Sequence, residues 1–300
     1  MRVWRALVGL AFGDAYGLQY ECIWPKPKLS WIDPRDLGFG CVDECGGRCC
    51  YSDDTEMTLA LALCMLEDYC NRIDELSKCI ARHIDVSKRV RYYSIAMKEV
   101  TSMIASGAPW LDSTHSILDV CRFDPSPGVR AIAAALLAKD LEKALKLSAL
   151  QAIATHVCRE AVERAMVVGA ITYLVVREGI SHRAAIEELR WIHRWSPWLT
   201  KILDLVPSIA EDPPSEVVKK LVKLGATAVE MGLVAAYLAR DPLEALARAI
   251  SLGGDVDTAA AIACSMVSAS SREPPKDLVA KIEGIERIKA LSLKLALRTR

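Results

Sequence analysis

Two short acidic runs hold the residues best suited to chemistry. Ser52-Asp53-Asp54-Thr55 lies in YSDDTEMTLALAL, and Asp255-Val256-Asp257-Thr258 lies in SLGGDVDTAAAIA. Each stands where a polar or glycine-containing turn gives way to an apolar run with helical spacing. A single Asp or Ser there has an ordinary use: it caps the free N–H groups of the first turn and meets the positive end of the helix dipole. Two carboxylates this close together exceed what one cap requires, and the excess occurs twice. Carboxylates gathered so densely oppose one another's ionisation unless cations neutralise them. Oxygen donors without thiolate or imidazole suit Mg2+, Mn2+ or Ca2+ rather than zinc. Two clusters of similar make-up point to a two-ion centre, in which shared carboxylates bridge ions ~3.5–4 Å apart. Gly253-Gly254 precedes the second cluster and lets the backbone turn sharply and approach a ligand closely, because glycine tolerates positive φ.

The elements that must position these residues read as helices. Met57, Leu61, Cys64 and Met65 recur at three- and four-residue steps after the first cluster. Similar periodicity runs through Val129–Leu137, Val162–Val175, Val217–Leu224, Ala228–Leu238 and Leu243–Ile250, and alternating β-type patterns are nearly absent. Breaks are expected at Pro25–Gly47, Ser106–Pro127, Trp195–Pro197, Pro207–Pro214 and Gly253-Gly254. Pro25–Gly47 is the one long irregular segment, and loops of that length are usually functional. With no internal repeat, low-complexity tract or shift in composition, the expectation is a single all-α domain over residues 1–300.

Composition narrows the function classes. Apolar residues make up 52% of the 300, enough to bury a large core. Lys plus Arg and Asp plus Glu each number 38, so charge gives no reason to expect a nucleic-acid or anionic-membrane partner. The apolar stretch Ala165–Val176 falls short of the ~20 residues a bilayer span needs. Met1-Arg2-Val3-Trp4-Arg5 and the apolar patch ending at Asp14 superficially suggest a signal peptide, but the patch is short and reads as the first core helix of a cytoplasmic protein. Eleven cysteines are many for a reducing compartment, and Cys41, Cys45, Cys49 and Cys50 crowd into CVDECGGRCC. The spacing fits no standard zinc or iron–sulfur knuckle. Structural cysteines, or disulfides of the kind found inside some hyperthermophile proteins, are the expected use.

Four segments together resemble the ADP-ribosylglycohydrolase family, which includes the hydrolase that reactivates ADP-ribosylated dinitrogenase reductase. RALVGLAFGDAYGLQYE is similar to its N-terminal signature, YSDDTEMTLALAL to its first metal motif, ATHVCREAVERA to its central Thr-His segment, and VEMGLVAAYLARDPLEALARAISLGGDVDTAAAIA to its C-terminal metal motif. The order is the family's, across nearly the whole chain. The resemblance implies an all-α fold with a central cleft holding two divalent cations, Mg2+ or Mn2+. It implies Ser52, Asp53 and Asp54 as ligands from the first motif, and Asp255, Asp257 and Thr258 from the second. It also implies hydrolysis of the bond between C1 of the distal ribose of ADP-ribose and an acceptor, on a protein side chain or a small molecule. Asp53 and Asp54 would then act at the catalytic centre, with Glu21 in a gating or acid–base role. A glutamate after an apolar helix also has the plainer use of a surface or cap residue.

Other positions match less closely. The phosphate-wrapping turn of the family corresponds to Ser126-Pro127-Gly128-Val129-Arg130, without the customary Asn-Gly pair and with Val129 for Met. Backbone N–H groups there are suited to phosphate oxygens, and the same pattern reads equally as a proline-initiated helix. Ser126, Gly128, His156 and Gly254 are therefore candidate substrate contacts. YYSIAMKEVTSMIASG replaces a glycine- and threonine-rich turn, Val256 replaces a small polar residue, and Cys264 and Ser268 stand where glycine is common. The last two are expected to alter packing only. His83, His115, His182 and His193 read as structural or exposed, and Trp191, Trp195 and Trp198 as a packing corner. Two other readings remain beside the ADP-ribosyl hydrolase: a metal-dependent hydrolase of another ribosyl or phosphorylated small molecule, and a non-catalytic crystallin-like member. The six ligand positions speak against the second.

Overall fold

A computed structural model describes residues 1–23, 26–69, 72–189, 196–209 and 211–298. Among these the chain is helical, without strands, apart from one isolated bridge between Cys49 and Ile282. In chain order the helices are α1 (Arg2–Ile23), α2 (Asp53–Leu66), α3 (Ile73–His83), α4 (Ile95–Ala105), α5 (Trp110–His115) and α6 (Leu118–Cys121). Next come α7 (Ser126–Leu137), α8 (Leu141–Ile153), α9 (Arg159–Tyr173), α10 (His182–Glu188), α11 (Pro197–Leu205) and α12 (Pro214–Val222). The last five are α13 (Ala228–Leu238), α14 (Pro242–Leu252), α15 (Val256–Ser270), α16 (Lys276–Val279) and α17 (Ile285–Arg298). The all-α expectation holds, and no helix among the described residues is long and apolar enough to cross a membrane.

The chain divides into two compact units. The first takes residues 1–51 and 174–289, and the second residues 52–173 and 290–300. In the first unit α1 lies along α15, which also packs on α13 and α14. Three glycines on one face of α1 make that approach possible. A Cβ at Gly9 would lie 2.4 Å from the Cys264 carbonyl oxygen, one at Gly13 2.1 Å from the Ala260 carbonyl oxygen, and one at Gly17 2.8 Å from the Asp257 Cα. Their four-residue spacing keeps all three on one helical face. Cys264 and Ser268 meet Gly9 across this seam, so they serve packing, as expected.

The long irregular segment belongs to the first unit and is strapped down. Ser251 accepts from Ile32 N–H through Oγ at 3.0 Å and from Lys28 N–H through its carbonyl at 2.8 Å. Trp31 Nε1 donates to the Asp212 carbonyl at 2.9 Å, and Tyr20 Oη to the Gly38 carbonyl at 2.6 Å. Disulfides Cys41–Cys49 and Cys45–Cys50 close its end, which bears out the expectation for these cysteines.

In the second unit α7 packs against α2, α8 and α9, while α3 bridges α2, α4 and α8. Disulfide Cys64–Cys79 joins α2 to α3, and Cys121–Cys158 joins the end of α6 to the approach to α9. The expected break at Ser106–Pro127 contains the short helices α5 and α6, and the break at Pro207–Pro214 overlaps a 3-10 turn, Val206–Ile209. Trp191, Trp195 and His193 lie outside the described residues; Trp198 is half-buried in α11.

Candidate metal centre

The first unit gathers four carboxylates at the α1–α15 seam. Asp14 points from the middle of α1 and is fully buried, and Glu21 follows two turns later, half-buried. Asp255 is the N-cap of α15, and Asp257 stands in its first turn, buried, with one carboxylate oxygen accepting from Thr258 N–H at 2.9 Å. Thr258 is buried beside it. Burial, then the charges of Asp255 and Asp14, raise the Asp257 carboxyl well above the usual carboxylate range. Burial, then Asp257 and Asp14, push Glu21 up to about 7. The structure thus brings Glu21 together with Asp255 and Asp257, and it adds Asp14. Sequence reasoning placed Asp14 in a signature but gave it no role.

The turn that delivers Asp255 depends on glycine. Gly253 ends α14 with φ of 69°, and a Cβ there would sit 2.7 Å from the Lys26 carbonyl carbon. Gly254 follows with φ of 78° and is exposed, so its backbone is accessible.

The second unit carries the other acidic run. Ser52 is the N-cap of α2, its Oγ accepting from Asp54 N–H at 3.3 Å. Asp54 and Thr55 are buried, and Asp53 is half-buried. Glu56, one turn on, ties the start of α2 to the loop before α4. It accepts from Tyr93 Oη at 2.6 Å, Arg91 Nε at 3.1 Å and Asp85 N–H at 3.1 Å. Burial, then the Glu56 charge, hold the Tyr93 phenol far above its ordinary range, so it stays protonated and donates.

Arg130, the last residue of the phosphate-wrapping match, anchors this half. It is fully buried in α7, with Nε donating to Gln151 Oε1 at 2.6 Å and Nη2 bonded to Thr155 Oγ1. Burial lowers its guanidinium to about 10, opposed by the negative charges of Asp124, Asp53 and Asp54. It therefore remains the fixed cation in the field of the first acidic run. Gln151 Nε2 in turn donates to the Pro127 carbonyl at 2.7 Å, which fixes the start of α7.

The expected substrate contacts in this unit have partners inside it. His156 is fully buried, with Nδ1 2.9 Å from Thr155 Oγ1 and Nε2 3.4 Å from Asp124 Oδ2. Ser126 donates to Asp124 Oδ1 from its N–H at 2.9 Å and its hydroxyl at 2.5 Å, and Gly128 N–H donates to the Pro125 carbonyl at 2.8 Å. Burial would raise the Asp124 carboxyl, but His156 and the Ser126 donors outweigh it and hold it well below the usual range. The N–H donors of Ser126 and Gly128 are thus engaged within the fold. His182, read as structural, is buried, with Nδ1 2.8 Å from Ser270 Oγ and Nε2 3.1 Å from the Ala239 carbonyl.

The donor chemistry of both runs fits a hard divalent cation. Ser52, Asp53 and Asp54 in one unit, and Asp14, Asp255, Asp257 and Thr258 in the other, offer oxygen alone. The raised carboxyls of Asp257 and Glu21 report negative charge in excess, which a cation would relieve.

The family model for ADP-ribosylglycohydrolase matches residues 1–300. A relative from Escherichia coli (strain K12), "Uncharacterized protein YegU", is 27% identical over 303 residues, covering 89% of this chain and 87% of the relative. A solved structure, "ADP-ribosylglycohydrolase-related protein complex", shares the fold with a TM-score of 0.68 at 23% identity, covering all of this chain and 98% of that one.

Proposed function

The chain belongs to the ADP-ribosylglycohydrolase family, and from that premise we propose that it is a divalent-metal-dependent hydrolase of the bond between C1 of an ADP-ribosyl ribose and its acceptor. The family acts on ADP-ribosylated substrates and generally uses divalent metals. The observation that carries the reading for this chain is the carboxylate set Asp14, Glu21, Asp255 and Asp257 at the α1–α15 seam. A mutually repelling set with two members buried and two half-buried is costly to a fold and is explained by charge it must accommodate.

Asp255, Asp257 and Thr258, with Asp14, are the cation ligands this reading assigns in the first unit, and Ser52, Asp53 and Asp54 those it assigns in the second. When bound, Mg2+ or Mn2+ supplies positive charge for the ribose hydroxyls and for a water beside C1. The chain's own residues account for the rest. Glycosidic cleavage builds positive charge on the ribose, which the negative field of the carboxylates stabilises. Glu21, with its carboxyl pushed up to about 7 by burial and by Asp257 and Asp14, exchanges a proton readily near neutral pH. It can deliver that proton to the leaving atom and then accept one from the attacking water. The exposed backbone of Gly254 lies beside Asp255 and is available to the substrate. We assign no phosphate contact to Ser126 or Gly128, whose N–H donors serve the fold, and we give His156 a role in positioning Thr155 and Asp124.

The test is release of ADP-ribose from peptides ADP-ribosylated on arginine or serine, with Mg2+ or Mn2+ added or chelated. Metal-dependent release that is lost in Asp257→Asn and Glu21→Gln is the expected result. Release unaffected by chelation, or by either substitution, would overturn the proposal.

A further inference from the structure

Away from the carboxylates, the second unit holds a different donor set. Cys79 and His83 are four residues apart on the last turns of α3, so their side chains share one face. Cys64, on α2, meets them there. The two sulfurs and a ring nitrogen of His83 all lie within 4.8 Å of one another. Both cysteines are fully buried, while His83 is half-buried at the edge of the cluster. The His83 ring makes no hydrogen bond among the described residues.

We propose that Cys64, Cys79 and His83 form a redox-controlled site for Zn2+ or a similar thiophilic divalent cation. In the oxidised chain the two sulfurs are joined, and disulfide sulfur is a poor ligand. A thiol reductant splits that bond: two protein thiols form, and two reductant thiols leave as their own disulfide. Metal binding then makes two metal–sulfur bonds and releases two protons, with the neutral imidazole as third ligand. A tetrahedral ion with metal–sulfur bonds of ~2.3 Å holds its two sulfurs ~3.8 Å apart. The three donor atoms lie within 4.8 Å of one another, so side-chain rotation brings them to that spacing once the disulfide is open. Three protein ligands leave the fourth position to water. The bound ion keeps the sulfurs apart and so opposes re-formation of the disulfide. The site is chemically distinct from the oxygen-only acidic runs, and soft ligands separate the two in metal preference.

The experiment uses the full chain carrying Cys41→Ser, Cys45→Ser, Cys49→Ser and Cys50→Ser. These remove the other sulfur cluster near a carboxylate, Cys45, Cys50 and Glu283. The protein is reduced and titrated anaerobically with Co2+. The readout is sulfur-to-cobalt charge-transfer absorption, which oxygen ligands do not produce. One equivalent of Co2+, displaced by Zn2+, is expected. Cys79→Ser should abolish the band, and His83→Gln should turn a stoichiometric titration into a weak one while leaving helicity unchanged. In parallel, Zn2+ should protect Cys64 and Cys79 from iodoacetamide in the reduced protein but not in its His83→Gln form. Absence of the band in the reduced chain, its survival in Cys79→Ser, or equal alkylation with and without Zn2+ would overturn the proposal.

Discussion

Glu21 and Asp257 resist ionisation because each faces other carboxylates in a partly dry seam. That has a consequence for pH with a definite sign. Glu21 binds its proton more tightly folded than unfolded, so its contribution to stability is complete below the unfolded value of 4.5. It is lost as pH rises through about 7. A divalent cation held by Asp14 and Asp257 relieves the repulsion that keeps these carboxyls protonated, so the rise in Tm on adding Mn2+ should grow steadily from acid pH to beyond neutrality. Thermal scans at several pH values check this, and a rise that shrinks with pH would contradict it. Arg130 supports a second prediction. Arg130→Met leaves Gln151 and Thr155 without their buried partner and removes the cation from the field of Asp53, Asp54 and Asp124. A loss of about 3 kcal/mol in denaturant unfolding is expected. The two acidic runs were legible in the sequence because two carboxylates in one helix start exceed a cap. Asp14 was not, since a lone Asp in an apolar helix gives no periodic signal. Arg130 was legible as the end of the phosphate-wrapping match, but its burial was not, since arginine is almost never fully buried unless tertiary contacts pair it.

Helix α1 is the element on which the first carboxylate set depends. Gly13 permits its backbone to touch α15 where a Cβ would meet the Ala260 carbonyl. Gly13→Ala should therefore part the two helices rather than displace a side chain. The cost expected is about 1–3 kcal/mol, with weaker Mn2+ binding because Asp14 and Asp257 separate together. Gly46→Ala is a suitable contrast: its φ of 67° strains a side chain, but no atom lies within 4 Å, so Mn2+ affinity should be retained. Calorimetry on both variants tests the pair, and equal Mn2+ affinity in the two would remove the seam from the argument. Most long helices were legible at this scale, since α2, α7, α13 and α14 are eleven residues or longer and show helical spacing of apolar residues along much of their length. The segment Ser106–Pro127 was read as a break because α5 and α6 span six and four residues, too few to display a period. Their helicity comes from packing, including contacts of α5 with α3 and α4.

Among the described residues, four disulfides fall two to each unit. Cys121–Cys158 closes the longest loop, with a sequence separation of 37. Chain-entropy arguments assign it about 4 kcal/mol, so Cys121→Ser with Cys158→Ser should lower Tm more than opening either short loop near residue 45. Such cross-links stabilise the units separately, and each unit carries an acidic run of its own. Asp54→Asn acts in the second unit and Asp257→Asn in the first. Each removes a carboxylate that the proposed function assigns to a cation, so each alone should lower Mn2+ affinity by tenfold or more, about 1.4 kcal/mol. Calorimetric titration of the two variants checks this, and unchanged Mn2+ affinity in either would end the case for that run as a ligand set.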